Sequence, residues 1–187
     1  MFTCWFFRVS REPPAEAPTS SLAAVREAAC RQDRTPGPHH RHRLPLITPG
    51  GTVIPTGYAA ALEPDRTVTM IDGDPFRSGD LFLTSLAATL GPAAIAVVLT
   101  GMLDDGAQGV RAIKRRGGRV RVQDPKTARA PGMPSSAMPT GCVDLVLPLD
   151  RLAACLVDLT MAPGGADLLT VPMPPWAQLH PGTRTSA

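Results

Sequence analysis

The chain predicts an α/β fold: a doubly wound, three-layer αβα sandwich around a mainly parallel sheet. Three observations carry this reading. Short β-rich runs centred near residues 95, 120 and 144 recur about every 24 residues with helical patterns between them, the rhythm of successive βαβ units. Residues 94–99 (AIAVVL) form a continuous apolar run, as expected of a parallel strand buried on both faces. The helical patterns also stop where capping chemistry allows, at Gly91 and at Gly117-Gly118.

Taken in order, residues 1–20 mix an apolar start with Arg8, Arg11 and PPAEAP and read as a disordered or unrelated tail. Residues 21–32 (SLAAVREAACRQ) hold a short helix or strand, ended by DRTPGP. A basic cluster follows at 39–43, then a short strand and turn at 45–51 (PLITPGG) and a β-rich run at 67–71 (TVTMI). From residue 77 the pattern is cleaner. Ser78 suits an N-cap for a helix that aligns Leu81, Phe82, Leu86 and Leu90. After the 94–99 strand, a helix over about 105–116 buries Ala107, Val110 and Ile113 and ends in Lys114, Arg115 and Arg116, favourable at a helix C-terminus.

Residues 119–123 (RVRVQ) alternate as a strand near an edge or under a polar layer. A polar loop fills 124–134, one helical turn 135–140, a strand 143–147, and a helix capped by Asp150 covers 151–160. Beyond Ala162 there is no period, and 161–187 reads as a Pro/Gly-rich tail. The domain is therefore expected over 21–160, best patterned over 77–160.

Composition bounds the function. The 187 residues hold 43% hydrophobic and 19% charged side chains, a globular balance. The 21 Pro and 17 Gly, about a fifth of the chain, fall chiefly in the flanks and loops. A net charge of +3 gives no warrant for nucleic-acid binding. No apolar run reaches the roughly 18–20 residues needed to span a bilayer, so membrane insertion is not expected. Cys4, Cys30, Cys142 and Cys155 show no CxxC spacing and read as free thiols in the cytoplasm. Neither a cofactor nor a metal is expected. There is no P-loop or GxGxxG, and His39, His40 and His42 sit in a basic loop without a Cys or paired carboxylates nearby.

The richest segment is 99–107 (LTGMLDDGA), where a buried strand ends and a helix begins. Functional groups collect at that edge of an open α/β sheet. Two carboxylates there have two possible jobs: to cap a helix N-terminus, or to orient a histidine as the acid of a Ser-His-Asp triad does. Spacing alone leaves both open. No G-x-S-x-G elbow is present to name a nucleophile.

Four motifs in order, LTGMLDDGAQG, GGRVRVQD, GMPSSA and VLPL, resemble the catalytic domain of CheB-type chemotaxis protein-glutamate methylesterases. The resemblance implies cytoplasmic hydrolysis of glutamate methyl esters on the cytoplasmic region of methylated chemoreceptors, by Ser-His-Asp acyl transfer without cofactor or metal. It makes Asp105 the orienting carboxylate and puts Met102 beside the site. Leu103 stands where the family has glycine. The family's nucleophile lies in a GASTGG-like loop and its histidine in a QHMPP-like segment, and neither is readable here; a looser register offers only Ser20 and His42. No phosphorylation-receiver region is recognised ahead of the domain. The alternative is a catalytically inactive, N-terminally truncated or degenerate remnant acting as a protein-binding module in the same signalling.

Overall fold

The computed structural model describes residues 7–8, 43–45, 54, 58–71, 77–161 and 171–175. The expected elements at 21–32 and 46–51 lie outside them, as do Ser20 and His42. The described elements are strands β1 (Phe7–Arg8), β2 (Arg43–Pro45), β3 (Ala59–Leu62) and β4 (Thr67–Ile71), then helix α1 (Ser78–Leu90), β5 (Ala94–Val98), α2 (Ala107–Arg115) and β6 (Arg119–Gln123). Helix α3 (Gly132–Ala137), strand β7 (Leu145–Leu147) and helix α4 (Leu149–Met161) complete them.

The main sheet runs β1-β5-β6-β7, parallel from β5 to β7, with β1 antiparallel at one edge. Parallel neighbours need a crossover between them, and α2 supplies it between β5 and β6 while α3 lies between β6 and β7. Alternate residues of each strand serve opposite faces. Ala94, Ala96, Val98, Val120 and Val122 pack with Phe82, Leu83 and Leu86 of α1 and Val110 and Ile113 of α2. Ile95 and Val97 on the other face meet Leu152 and Leu159 of α4. That is the three-layer αβα arrangement.

A second sheet, β2-β4-β3, is antiparallel throughout and was only half legible, since β4 is regular but β3 reads Ala-Ala-Ala-Leu. It packs Leu62, Val68 and Met70 into the core beside α1. Ser85 Oγ accepts from Leu62 N at 2.8 Å, and Thr89 Oγ1 donates to Leu62 O at 3.2 Å. The buried face of α1 is Phe82, Leu83, Leu86 and Ala87; Leu81, expected inside, is exposed.

Strand β6 lies between β5 and the edge strand β7, one place in from the edge. Its alternating arginines misled because Arg121 is fully buried. Arg121 Nη1 lies 3.4 Å from Asp144 Oδ2, and Lys114 Nζ donates to Asp144 Oδ1. The same carboxylate accepts from Val120 N at 2.8 Å and Val171 N at 2.7 Å. A buried charge is tolerable only when paired and hydrogen-bonded; Asp144 pairs with both cations, and Arg121 Nη1 donates to Val120 O at 3.2 Å while its Nε and Nη2 find no hydrogen-bond partner among the described residues. The contact also docks residues 171–175, inside the stretch 161–187 expected to be a tail, and Met173 there packs against the core.

Candidate functional site

At the carboxyl ends of β5 and β6, two loops are clamped together. Gln123, the last residue of β6, accepts from Thr100 N through Oε1 at 3.0 Å and donates through Nε2 to Thr127 O at 3.1 Å. Thr100 Oγ1 accepts from Ala130 N at 2.8 Å, Gly101 N donates to Ala130 O at 2.9 Å, and Met133 N donates to Gly101 O at 2.9 Å. Met133 lies so close over Gly101 that a Cβ there would stand 2.1 Å from its Sδ. Only glycine fits. These bonds explain why LTGM, QD and GMP occur together: each supplies one side of the clamp.

The clamped loop delivers Asp105, only 2% exposed. Its carboxylate does not cap the helix that follows it. Oδ2 accepts from Gly79 N at 2.8 Å and Oδ1 from Asp80 N at 2.9 Å, so it caps the N-terminus of α1. A helix leaves its first N–H groups without intrahelical partners, and no side chain of α1's own N-cap position, Arg77, meets them. Ser78, expected to be that N-cap, is the first helical residue. Gly79 gives the carboxylate room: a Cβ there would come within 2.9 Å of Asp105 Oδ2 and make it shift.

The exchange is reciprocal. Asp80, in the first turn of α1, is itself buried, and its Oδ1 accepts from Gly109 N of α2 at 2.8 Å. Each helix N-terminus is thus held by a carboxylate from the other helix's side of the contact, where both helix dipoles favour negative charge. Burial pushes the Asp80 carboxyl above its ordinary value; the N–H groups of Gly109, Gln108 and Gly106 oppose this, and the charge of Asp105 adds to it. In the sequence Asp80 is simply an acid in the first turn of a helix, with no local sign of its contact to Gly109.

Met102, three residues before Asp105 in the chain, is 68% exposed, Leu103 is 53% exposed, and Asp104 faces solvent. The four histidines, at 39, 40, 42 and 180, all fall outside the described residues. The described residues therefore bring together Asp105 and Asp80, and hold no histidine to serve as base. Among them no group of His, Cys, Asp and Glu has a metal-holding arrangement, and no helix is long and apolar enough to cross a membrane.

A loop of this build between βα units is matched by a family model, that of the CheB methylesterase, over residues 40–156. The chain belongs to the CheB methylesterase family. It is similar to the protein-glutamate methylesterase FrzG of Myxococcus xanthus, 38% identical over 117 residues, 60% of this chain and 35% of FrzG. It is also 48% identical over 84 residues to a protein-glutamate methylesterase/protein-glutamine glutaminase of Moorella thermoacetica, covering 45% of this chain and 20% of that protein. The fold is similar to the crystal structure of the Thermotoga maritima CheB methylesterase catalytic domain, with TM-score 0.52 and 30% identity over 56% of this chain and 59% of the other. The chain thus matches about a third or less of these curated relatives' lengths.

Proposed function

We propose that this CheB-family chain acts on glutamate γ-methyl esters in the cytoplasmic region of chemoreceptors, releasing methanol by acyl transfer, with Asp105 as the carboxylate that orients the base. The observation that carries the reading is Asp105 itself: 2% exposed, at the carboxyl edge of a parallel sheet, and fixed by two backbone N–H groups. Each carboxylate oxygen has more than one acceptor site, so capping α1 leaves room for an imidazole N–H. In this chemistry a serine oxygen adds to the ester carbonyl while the histidine takes its proton, and methanol leaves with that proton. Water then repeats the steps on the acyl-serine, leaving a carboxylate. The aspartate holds the imidazole's tautomer and steadies its cation. No motif identifies the nucleophile and base; Ser20 and His42 are the candidates that a looser register offers. The names of the relatives, protein-glutamate methylesterases, support the substrate class.

The test is methanol release from a methylated receptor cytoplasmic fragment. Wild type should release it, and Asp105→Asn should slow release about 10⁴-fold, the size of the effect of the same change in a serine-protease triad. A folded wild-type chain that releases none overturns the reading. The second reading, a non-catalytic protein-binding module, is favoured by one observation: both Asp105 oxygens are already engaged by α1. It predicts receptor-fragment binding without methanol.

A further inference from the structure

Leu103 has a left-handed backbone, φ 68°, a conformation that brings an L-residue's Cβ against its own carbonyl and that glycine adopts without strain. Leu103 gains little in return from the described residues, its side chain being 53% exposed. Nor is the loop free to relax. Gly132 approaches so closely that a Cβ there would stand 2.8 Å from Leu103 N and 2.9 Å from Leu103 O. On either side, Gly101 is bonded to Ala130 and Met133, and Asp104 O accepts from Ala107 N at 3.2 Å. The backbone is held in a shape suited to glycine while presenting a leucine. Met102, the preceding residue, is more exposed still, so two adjacent apolar side chains stand in solvent within three residues of Asp105. Strain kept at a functional edge with little internal gain points outward, to what touches it.

Resting on the methylesterase reading, we infer that Leu103 is a specificity-determining residue: with Met102 it forms an apolar rest for an aliphatic side chain flanking the methyl-esterified glutamate of a peptide substrate. The loop's continuity with Asp105 fixes the occupant as the substrate segment beside the reacting ester.

The test uses the full chain and two synthetic peptides, each with one glutamate γ-methyl ester, flanked by leucines in one and by serines in the other. Binding is read by calorimetry and turnover by methanol release. Leu103→Asn and Leu103→Gly both suit the left-handed backbone and remove the apolar side chain, so both should keep a cooperative thermal melt. Each should weaken affinity for the leucine-flanked peptide about five- to tenfold, as for partial burial of one leucine, and leave the serine-flanked peptide within twofold. Val157→Ala, exposed on α4, is the control and should change neither. Equal affinities of wild type and both Leu103 variants for the leucine-flanked peptide overturn the inference, as does equal weakening for both peptides. Leu103-dependent binding without methanol from either peptide would overturn the methylesterase reading and leave the contact standing; methanol with no Leu103 dependence does the reverse.

Discussion

The exchange of carboxylates between α1 and α2 makes Asp80 the most informative residue to perturb. Two substitutions separate its hydrogen bond from its charge. Asp80→Ala removes the acceptor for Gly109 N, leaving a buried helix N-terminal donor without a partner. Losing such a cap costs about 1 kcal/mol, within a range of roughly 0.5–2. Asp80→Asn keeps a carbonyl oxygen for Gly109 N and removes the charge. Because burial and the Asp105 charge raise the Asp80 pKa above its ordinary 3.8, the folded protein binds this proton more tightly than the unfolded chain does. By linkage, the stability that comes with the proton is fully present below 3.8 and is lost as pH rises through the raised folded value. The asparagine variant has no such proton to lose.

The expected order at pH 7 is therefore Asn at or above wild type, and Ala below both. The assay is urea unfolding by circular dichroism at closely spaced pH values from 3 to 7, with all three proteins in the same buffer series. The difference between Asn and wild type should grow in favour of Asn as pH rises from 3.8 and then level off. The groups facing Asp80 are Asp105, the amides of Gly106, Gln108 and Gly109, and the exposed Arg77 guanidinium at 3.8 Å. The last is screened by salt, so repeating the series at high salt should alter the curves little. A wild type that gains on Asn as pH rises would mean the charge stabilises the fold, and would falsify the argument. Equal stability of Ala and Asn would remove the Gly109 bond from it.

Other perturbations follow from the same structure. Gly101→Ala should destabilise by about 1–3 kcal/mol or more, because the new methyl collides with Met133 and overpacking has that cost; the urea midpoint checks it. Asp144→Ala should lose about 3–5 kcal/mol by leaving Lys114 and Arg121 buried without their anion, and hydrogen exchange at the Val171 amide should accelerate as its acceptor disappears. The Cys142 thiol, pushed up by burial, should resist iodoacetamide in the folded protein and react after half-buried Cys155, as peptide mass spectrometry after labelling would show.

Some of this was legible in the sequence because the signal was local. Strand β5 is apolar at every position and buried at every position. Helix α2 shows its C-terminal stop at Gly117-Gly118 and its Val110–Ile113 stripe, and the strand at Arg119–Gln123 has the expected bounds. What was missed depends on residues far apart in the chain. The arginines of β6 look solvent-facing until Asp144, more than 20 residues on, is seen to receive Arg121. Three alanines in β3 carry no strand preference; pairing with β4 and packing on α1 decide that segment.

Asp105 shows the limit most sharply. Its sequence position supports two roles, capping the helix after it or orienting a base, and the structure adds a third by making it the cap of the helix before it. That capping role would keep an aspartate here even if no substrate ever reached it, so the residue's presence alone carries less weight for catalysis than its motif implies. Leu103 differs in this respect. Among the described residues nothing calls for a half-exposed leucine in a left-handed turn, and a glycine would hold the same loop without strain. A side chain that the fold does not need is the better witness to an external contact, and the loop's chemistry is therefore more directly tested at Leu103 than at the carboxylate behind it.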